Sequence, residues 1–316
     1  MISPQDVQRL RRLQWRVRKL IRGLLEGAYR STFPGTGLIF EELRAYTPGD
    51  DIRNMDWNVT ARLGEPYIRR YVDERERTLI LAVDRSASLD FGTHLDPESG
   101  EILTKRQILA ESAAMLAMLA ETNRDRIGLR MADATIHCDR SPSRGGPHMM
   151  RLLADLLNRE TPSDRRSMPR TEPMPKSIPS AGPSPLRILL QSLLNTPRRR
   201  AVVLLMSDFV DSDFADLFRL VARKHELVAV TVDDPRERAL PSVGWVRLRD
   251  AETGAVALVE THAPAVRAAM AQAVANRWDA CDSLIRGSGA TRLHLATDQP
   301  PLDALIRWLQ QRGGNR

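Results

Sequence analysis

The sequence predicts an α/β protein with a doubly wound, mostly parallel sheet that carries helices on both faces. Two apolar runs, 79–83 and 201–206, are short and uncharged and contain β-branched residues, which is typical of strands buried on both faces. From residue 78 onward, segments with helical periodicity alternate with further short apolar runs, as in a doubly wound sheet. The chain has 316 residues, of which 42% are hydrophobic, so it is long enough to bury a sizeable core.

The predicted elements follow one another in a regular order after the first run. Helices are expected where apolar residues recur at a spacing of three or four, and strands where short runs are bounded by turn signals. Predicted helices cover 101–122, 147–159, 186–194, 214–225, 265–285 and 302–311, and predicted strands cover 126–131, 135–138, 227–232, 245–248, 256–259 and 291–296.

The chain divides into two predicted regions. Residues 1–77 form an N-terminal helical and charged extension, in which an amphipathic helix over residues 5–29 precedes a segment rich in turn signals and in both signs of charge. Residues 78–316 form the α/β domain. Two features interrupt that domain: a proline-rich loop at 161–185, which holds too few large apolar residues to order itself, and a hairpin near 245–260.

Most of the net charge of the chain lies in the predicted N-terminal helix. The whole chain carries 47 Lys and Arg against 40 Asp and Glu, whereas residues 1–30 hold eight basic residues against two acidic ones. Such a helix either packs its apolar face on the protein and leaves its basic face in water, or docks on anionic lipid or on an acidic partner. Nucleic acid is not expected as a partner, because no series of aromatic residues interleaves the charges as a stacking platform.

Oxygen-bearing side chains follow both of the buried runs. Asp84, Ser86 and Ser88 come after the first run and Asp208 after the second. Ligands of open α/β sheets bind outside the carboxyl ends of the strands, and residues two apart in an extended segment point to the same side. Hard oxygen ligands with room for water suit Mg²⁺ or Mn²⁺, and a divalent ion would relieve the repulsion between two close carboxylates. The alternative is that the serines only cap a helix or close a turn.

These residues resemble a known type of metal site. Asp84-x-Ser86-x-Ser88 followed by Asp208 resembles the metal-ion-dependent adhesion site of von Willebrand factor A-like domains, in which a loop between the two acidic elements usually contributes a threonine. In this chain that loop reads Ser184-Pro185-Leu186, and Ser184 retains a hydroxyl. The resemblance implies a von Willebrand factor A-like fold and a Mg²⁺ or Mn²⁺ site formed by these four residues together with Ser184.

The segment before the first strand resembles the bacterial family known as domain of unknown function 58. The stretch Pro48–Trp57, which reads Pro-Gly-Asp-Asp-x-Arg-x-x-Asp-Trp, is the most specific part, and the resemblance extends from Gly37 to Asp211. Proteins of that family carry a von Willebrand factor A-like domain and are commonly paired with MoxR-type AAA+ ATPases. The resemblance therefore implies a metal-dependent protein-binding module that acts as an adaptor or chaperone-like partner of such an ATPase and of a client protein.

The sequence favours binding over catalysis, and we expect no enzymatic activity. It contains no P-loop motif, and its six histidines are scattered, with none beside a candidate serine or cysteine nucleophile. An aspartate at the end of a buried strand is also typical of haloacid dehalogenase-type phosphatases. Those enzymes need a second carboxylate two residues later, where this chain has Ser86. A metal-dependent phosphatase-like hydrolase is therefore the alternative function.

The sequence predicts a cytoplasmic protein. Its two cysteines, Cys138 and Cys281, are too few for a disulfide framework. No apolar run reaches the ~18 residues that a bilayer-spanning helix requires, and the arginines near the N-terminus interrupt any signal peptide. Peripheral contact with a membrane surface through the basic N-terminal helix is the remaining alternative.

Overall fold

The computed structural model describes residues 29, 37–74, 77–96, 100–157, 183–196, 200–211 and 213–314. The predicted helix over 5–29, except for Tyr29, and most of the predicted proline-rich loop at 161–185 lie outside the described residues. The chain divides into two compact units, Phe33–Arg77 and a larger one that comprises Met1–Thr32 and Thr78–Arg316.

The smaller unit is an antiparallel pair of strands with a short helix between them. Strand β1 (Gly37–Ala45) pairs with β2 (Tyr67–Glu74), and helix α1 (Trp57–Leu63) lies between the two in the chain. The helix begins after Asp56, whose carboxylate accepts hydrogen bonds from the first backbone N–H groups of the helix and pairs with Arg69 at 2.8 Å.

The larger unit is an α/β domain built on a six-stranded sheet. Its elements are β3 (Thr78–Asp84), β4 (His94–Leu95), β5 (Ile102–Leu103), α2 (Lys105–Thr122), β6 (Arg126–Ala132), β7 (Ile136–Ser143), α3 (Gly146–Leu157), α4 (Pro185–Leu194), β8 (Val202–Ser207), α5 (Ala215–Lys224), β9 (Glu226–Asp233), α6 (Pro235–Arg238), β10 (Trp245–Arg249), β11 (Val256–Glu260), α7 (Pro264–Gly287), β12 (Thr291–Ala296) and α8 (Pro301–Gly314). The order of the strands in the sheet is β12-β9-β8-β3-β6-β7, and every pair is parallel except β6 with β7, which is antiparallel. The prediction of a mostly parallel sheet flanked by helices is therefore confirmed.

Strands β3 and β8 lie side by side in the middle of this sheet and are covered on both faces. Ile80 and Leu205 belong to a buried cluster that includes side chains of α4, α5 and α7. Leu79 and Leu81 point to the opposite face of the sheet and are buried as well. Burial on both faces explains why these strands read as continuous apolar runs in the sequence.

Two parts of the larger unit lie outside the central sheet. Strands β10 and β11 form a separate antiparallel hairpin, and β4 pairs only with β5. The predicted start of a helix at residue 101 is wrong, because 102–103 are the strand β5 and α2 begins only after Thr104. Thr104 and Gln107 form a capping box, in which each side chain bonds to the backbone N–H of the other.

Tyr29 is the one described residue of the segment Met1–Thr32, and it is buried. Its hydroxyl donates a hydrogen bond to the buried carboxylate of Asp125 at 2.9 Å. None of the helices in the described ranges combines the length and the hydropathy that crossing a bilayer would take.

We predict that Leu205→Ala lowers the free energy of unfolding by about 2–5 kcal/mol, because it leaves a cavity in the two-sided core. Leu258→Ala, which shortens an exposed side chain of the β10–β11 hairpin, should change it by no more than about 0.5 kcal/mol. Urea denaturation followed by circular dichroism measures both values. Equal losses in the two variants would contradict the described packing.

Candidate metal site

Asp84 is buried at the carboxyl end of β3 and held from two sides. One carboxylate oxygen accepts a hydrogen bond from the backbone N–H of Ser86 at 2.7 Å, and the other accepts one from the hydroxyl of Ser207 at 2.6 Å. Burial, followed by the negative charge of Asp208, raises the pKa of Asp84 to about 7. The negative charges of Asp84 and Asp208 thus lie close enough to repel each other.

Asp208 follows β8 directly and is paired with a buried lysine. Lys105, at the start of α2 and only 1% exposed, places its Nζ 2.7 Å from Asp208 Oδ2 and 2.7 Å from Glu237 Oε1. Burial alone would lower the pKa of Lys105, but the charges of the two carboxylates outweigh it and the pKa is raised. Lys105 therefore stays protonated and neutralises part of the charge of Asp208.

The residue after Asp208 holds a backbone conformation that is unfavourable for a bulky side chain. Phe209 has a φ of 51°, in the left-handed region. Its backbone N–H donates to the hydroxyl of Ser207 at 3.0 Å, and its ring makes edge-to-face contacts with Phe214 and Phe218 at centroid distances of 5.7 and 6.5 Å. These contacts hold the turn that sets the direction of the Asp208 side chain.

The serines after Asp84 bring their hydroxyls together, although not in an extended segment as the sequence suggested. A turn of 3-10 helix covers Ala87–Asp90, and at its start the hydroxyls of Ser86 and Ser88 lie 3.1 Å apart. Ser86 occupies the N-cap position of this turn, yet its side chain makes no capping hydrogen bond. Simple helix capping therefore does not account for Ser86.

Ser184 lies at the N-terminus of α4, where its hydroxyl accepts a hydrogen bond from the backbone N–H of Arg187 at 3.2 Å. Burial, followed by the charges of neighbouring carboxylates such as Asp213 and Asp208, raises the pKa of Asp211 to about 6, and the hydroxyl of Ser184 offsets part of this shift. Ser184 thus caps a helix and lies next to Asp211, which is itself close to Asp208.

The sequence did not indicate that Lys105 and Glu252 belong to this region. Lys105 lies inside the predicted helix 101–122, whose early start gave no sign that this lysine is the first residue of α2. Glu252, in the turn of the β10–β11 hairpin, accepts a hydrogen bond from the backbone N–H of Ser88 at 2.9 Å across 164 residues of sequence. No local signal marks such a contact, because it depends on how the hairpin folds over the end of the sheet.

The donor set at the end of β3 and β8 fits a hard divalent cation. It consists of the carboxylates of Asp84 and Asp208 and the hydroxyls of Ser86 and Ser88, all of which are oxygen ligands of the kind that Mg²⁺ and Mn²⁺ prefer. In the part of the chain that the structure describes, no three His, Cys, Asp or Glu side chains are grouped so as to hold a metal. A cation here would therefore rely on hydroxyl and water oxygens besides the two carboxylates.

Comparison with solved structures gives distant similarities. BatB, a conserved hypothetical protein from Bacteroides thetaiotaomicron, aligns with 76% of this chain and 100% of its own, with 12% identity and a TM-score of 0.43. An aerotolerance-related membrane protein from Bacteroides fragilis aligns with the same shares at 12% identity and a TM-score of 0.44.

Comparison of sequences gives the family. Uncharacterized proteins from Mycobacterium bovis and Mycobacterium tuberculosis are 33% identical to this chain over 312 residues, which are 98% of this chain and 90% of theirs. The model of the family described as "Protein of unknown function DUF58" matches residues 42–279. The chain therefore belongs to the DUF58 family.

Proposed function

We propose that this protein is a metal-dependent protein-binding module with a von Willebrand factor A-like domain. The metal is Mg²⁺ or Mn²⁺, bound by Asp84, Ser86, Ser88 and Asp208, with Ser184 contributing from the start of α4. The observation that carries the proposal is the burial of Asp84 next to Asp208, which raises the pKa of Asp84 to about 7. Two carboxylates in such a position call for a cation or a proton.

The strand pairing supports this assignment of ligands. Strands β3 and β8 are parallel neighbours, with Val83 opposite Met206, so the residues that follow them emerge at the same edge of the sheet. Lys105 forms ion pairs with both Asp208 and Glu237, so its single positive charge is shared by two carboxylates. Asp84 receives hydrogen bonds only from neutral donors in the described contacts, which leaves its charge for the metal to balance.

A bound metal would supply a positive centre that receives a carboxylate from a protein partner. Mg²⁺ keeps an octahedral shell and usually retains several waters, so protein oxygens from these loops leave at least one position toward solvent. Asp84 and Ser86 would hold the cation, while the guanidinium of Arg106 fixes the loop by donating to the backbone carbonyl of Ser86 at 3.0 Å. No catalytic step is part of the proposal.

The proposed partner is a MoxR-type AAA+ ATPase, for which the protein serves as an adaptor or chaperone-like component beside a client protein. Membership of the DUF58 family supports this part of the proposal, since the family resemblance implied that pairing. The proposed compartment is the cytoplasm, and docking on a membrane surface through the basic segment at residues 5–29, which the sequence predicts to be a helix, is the alternative.

We predict that millimolar Mg²⁺ raises the melting temperature. A ligand at ~100 times its Kd that binds only the native state adds about 2.7 kcal/mol of stability. Asp84→Asn should abolish the response, whereas Asp279→Asn, on the exposed face of α7, should keep it. Differential scanning calorimetry with Mg²⁺ or with chelator tests this, and a wild-type melting temperature indifferent to both would refute the metal site.

We also predict that Mn²⁺ binds more tightly as the pH rises from 6 to 8. A proton must leave Asp84 before the metal binds, and its pKa is about 7. The ionised fraction therefore rises through this range, and the affinity should increase by about tenfold. Isothermal titration calorimetry in two buffers of different ionisation enthalpy would report both the affinity and the released proton. Binding without pH dependence would argue against Asp84 as a ligand.

The partner contact gives a further prediction. Asp84→Ala and Ser86→Ala should each weaken binding to the cognate MoxR-type ATPase by about 2–5 kcal/mol, because a charge-assisted contact at an interface centre is lost. Deletion of residues 1–29 should weaken it less. Calorimetry gives the affinities and circular dichroism verifies folding. Unchanged affinity in Asp84→Ala, together with lost affinity in the deletion, would move the interface to the N-terminal helix.

A further inference from the structure

The β10–β11 hairpin exposes one face of its two-stranded sheet. Residues that stand opposite each other in an antiparallel pair lie on the same face. The register of the hairpin therefore defines an outer face, which consists of Trp245, Arg247, Arg249, Val256, Leu258 and Glu260. Its apolar members are exposed by 63% for Trp245, 65% for Leu258 and 50% for Val256. The other face carries side chains that are partly buried, namely Val246, Leu248 and Val259. The outer face thus displays large apolar side chains that no described residue covers.

The apolar side chains of the outer face form one stripe, and arginines line it. Leu258 is diagonal to Trp245 and two residues from Val256, so these three side chains are neighbours. Arg247 stands opposite Leu258, and Arg249 stands opposite Val256. Both arginines are exposed, and neither is paired with a carboxylate within the part of the chain that the structure describes. The outer face therefore combines apolar contact area with two positive charges that are available to a partner.

The hairpin is held at both ends, so the outer face is a fixed surface. At the tip, Asp250 accepts a hydrogen bond from the backbone N–H of Glu252 at 3.0 Å, and Glu252 accepts one from the backbone N–H of Ser88 at 2.9 Å. At the base, the backbone N–H of Thr261 donates to the carbonyl of Gly244 at 2.8 Å. A surface that is already ordered loses little conformational freedom when a partner binds.

The size of the outer face suits a short segment better than a second folded subunit. Each strand has five residues, which span about 17 Å, and the face is only two strands wide. A stable interface between two folded proteins takes about 800 Å² from each partner, which is several times the area that such a hairpin offers. An extended peptide segment matches the length and width of the face.

The charge of the outer face indicates which segment fits. Two segments of this chain lie outside the described residues and could in principle cover it. Both are basic: residues 1–28 hold seven Lys and Arg against two Asp and Glu, and residues 158–182 hold five against three. Like charges repel, so Arg247 and Arg249 disfavour these two segments and favour an acidic one from another protein.

We propose that the outer face of the hairpin is a docking surface for a short segment of a protein partner that carries apolar side chains beside acidic ones. Trp245 and Leu258 supply the apolar contact, and Arg247 and Arg249 receive the carboxylates. Tryptophan and arginine are among the residues that most often dominate the binding energy of protein interfaces. This surface needs no metal, so the inference goes beyond the proposed function and does not depend on it.

The test selects peptides from a phage-displayed random library on the whole chain and measures the affinities of the selected peptides by fluorescence anisotropy. Leu258→Ala removes apolar contact, and Leu220→Ala, at a 47% exposed leucine of α5, is its control. Arg247→Glu reverses a charge, and Arg219→Glu, at an exposed arginine of the same helix, is its control. Circular dichroism verifies that all four variants fold.

We expect the selected peptides to combine acidic and apolar residues and to bind equally well with Mg²⁺ and with chelator. Leu258→Ala and Arg247→Glu should each weaken their binding by about tenfold, while the two α5 variants keep the wild-type affinity. Added salt should weaken binding to the wild type more than binding to Arg247→Glu, because it screens a charge pair that the variant has lost.

A selection that enriches no peptide would overturn the inference, and so would peptides that bind Leu258→Ala and Arg247→Glu as tightly as the wild type. Affinity that is lost in Asp84→Asn but kept in Leu258→Ala would return the interface to the metal site. A wild type that binds these peptides but no metal would overturn the proposed function and leave this inference standing.

Two further measurements test other occupants of the outer face. The first is cosedimentation with vesicles that contain phosphatidylserine, and the second is self-association measured by analytical ultracentrifugation. We expect Leu258→Ala to change neither. Vesicle binding that disappears in this variant would replace the peptide segment by a membrane surface, and self-association that disappears would replace it by a second copy of the chain.

Discussion

Charge compensation at the carboxyl ends of β3 and β8 is the constraint on which the rest of the site depends. Parallel pairing in the middle of the sheet brings Asp84 and Asp208 to the same edge, and burial removes the water that would otherwise screen them. Lys105 pairs with the carboxylate of Asp208, and the carboxylate of Asp84 accepts hydrogen bonds only from neutral donors in the described contacts. This asymmetry distinguishes the two acidic residues, because among the described contacts only Asp208 is paired with a cation.

The positions of the two carboxylates were predictable from the sequence, because each lies where a buried strand ends. A buried strand must be apolar along its whole length, so the carboxylates of Asp84 and Asp208 mark where each strand stops. Membership of the DUF58 family, which the Pro48–Trp57 stretch predicted, is confirmed by the family match. That the domain is von Willebrand factor A-like and that it binds a metal are both proposed.

The rest of the site was not predictable, since it depends on contacts between distant parts of the chain. Nothing near Glu252 in the sequence indicates that its hairpin folds over Ser88. The position of Lys105 at the start of α2 was not predicted, because the apolar pattern extended the predicted helix over the short strand at 102–103. The serine hydroxyls meet through a 3-10 turn, whose tight spacing leaves no apolar periodicity for sequence analysis to detect.

The left-handed backbone of Phe209 links the site mechanically to the core beneath it. Holding a bulky residue in that conformation costs about 1–3 kcal/mol, which is offset by the burial of its ring against Phe214 and Phe218. Phe218 belongs to α5, so this helix packs through its ring against the residue next to Asp208. A substitution that displaces Phe218 is therefore expected to disturb the turn that carries Asp208, even though α5 contributes no proposed metal ligand.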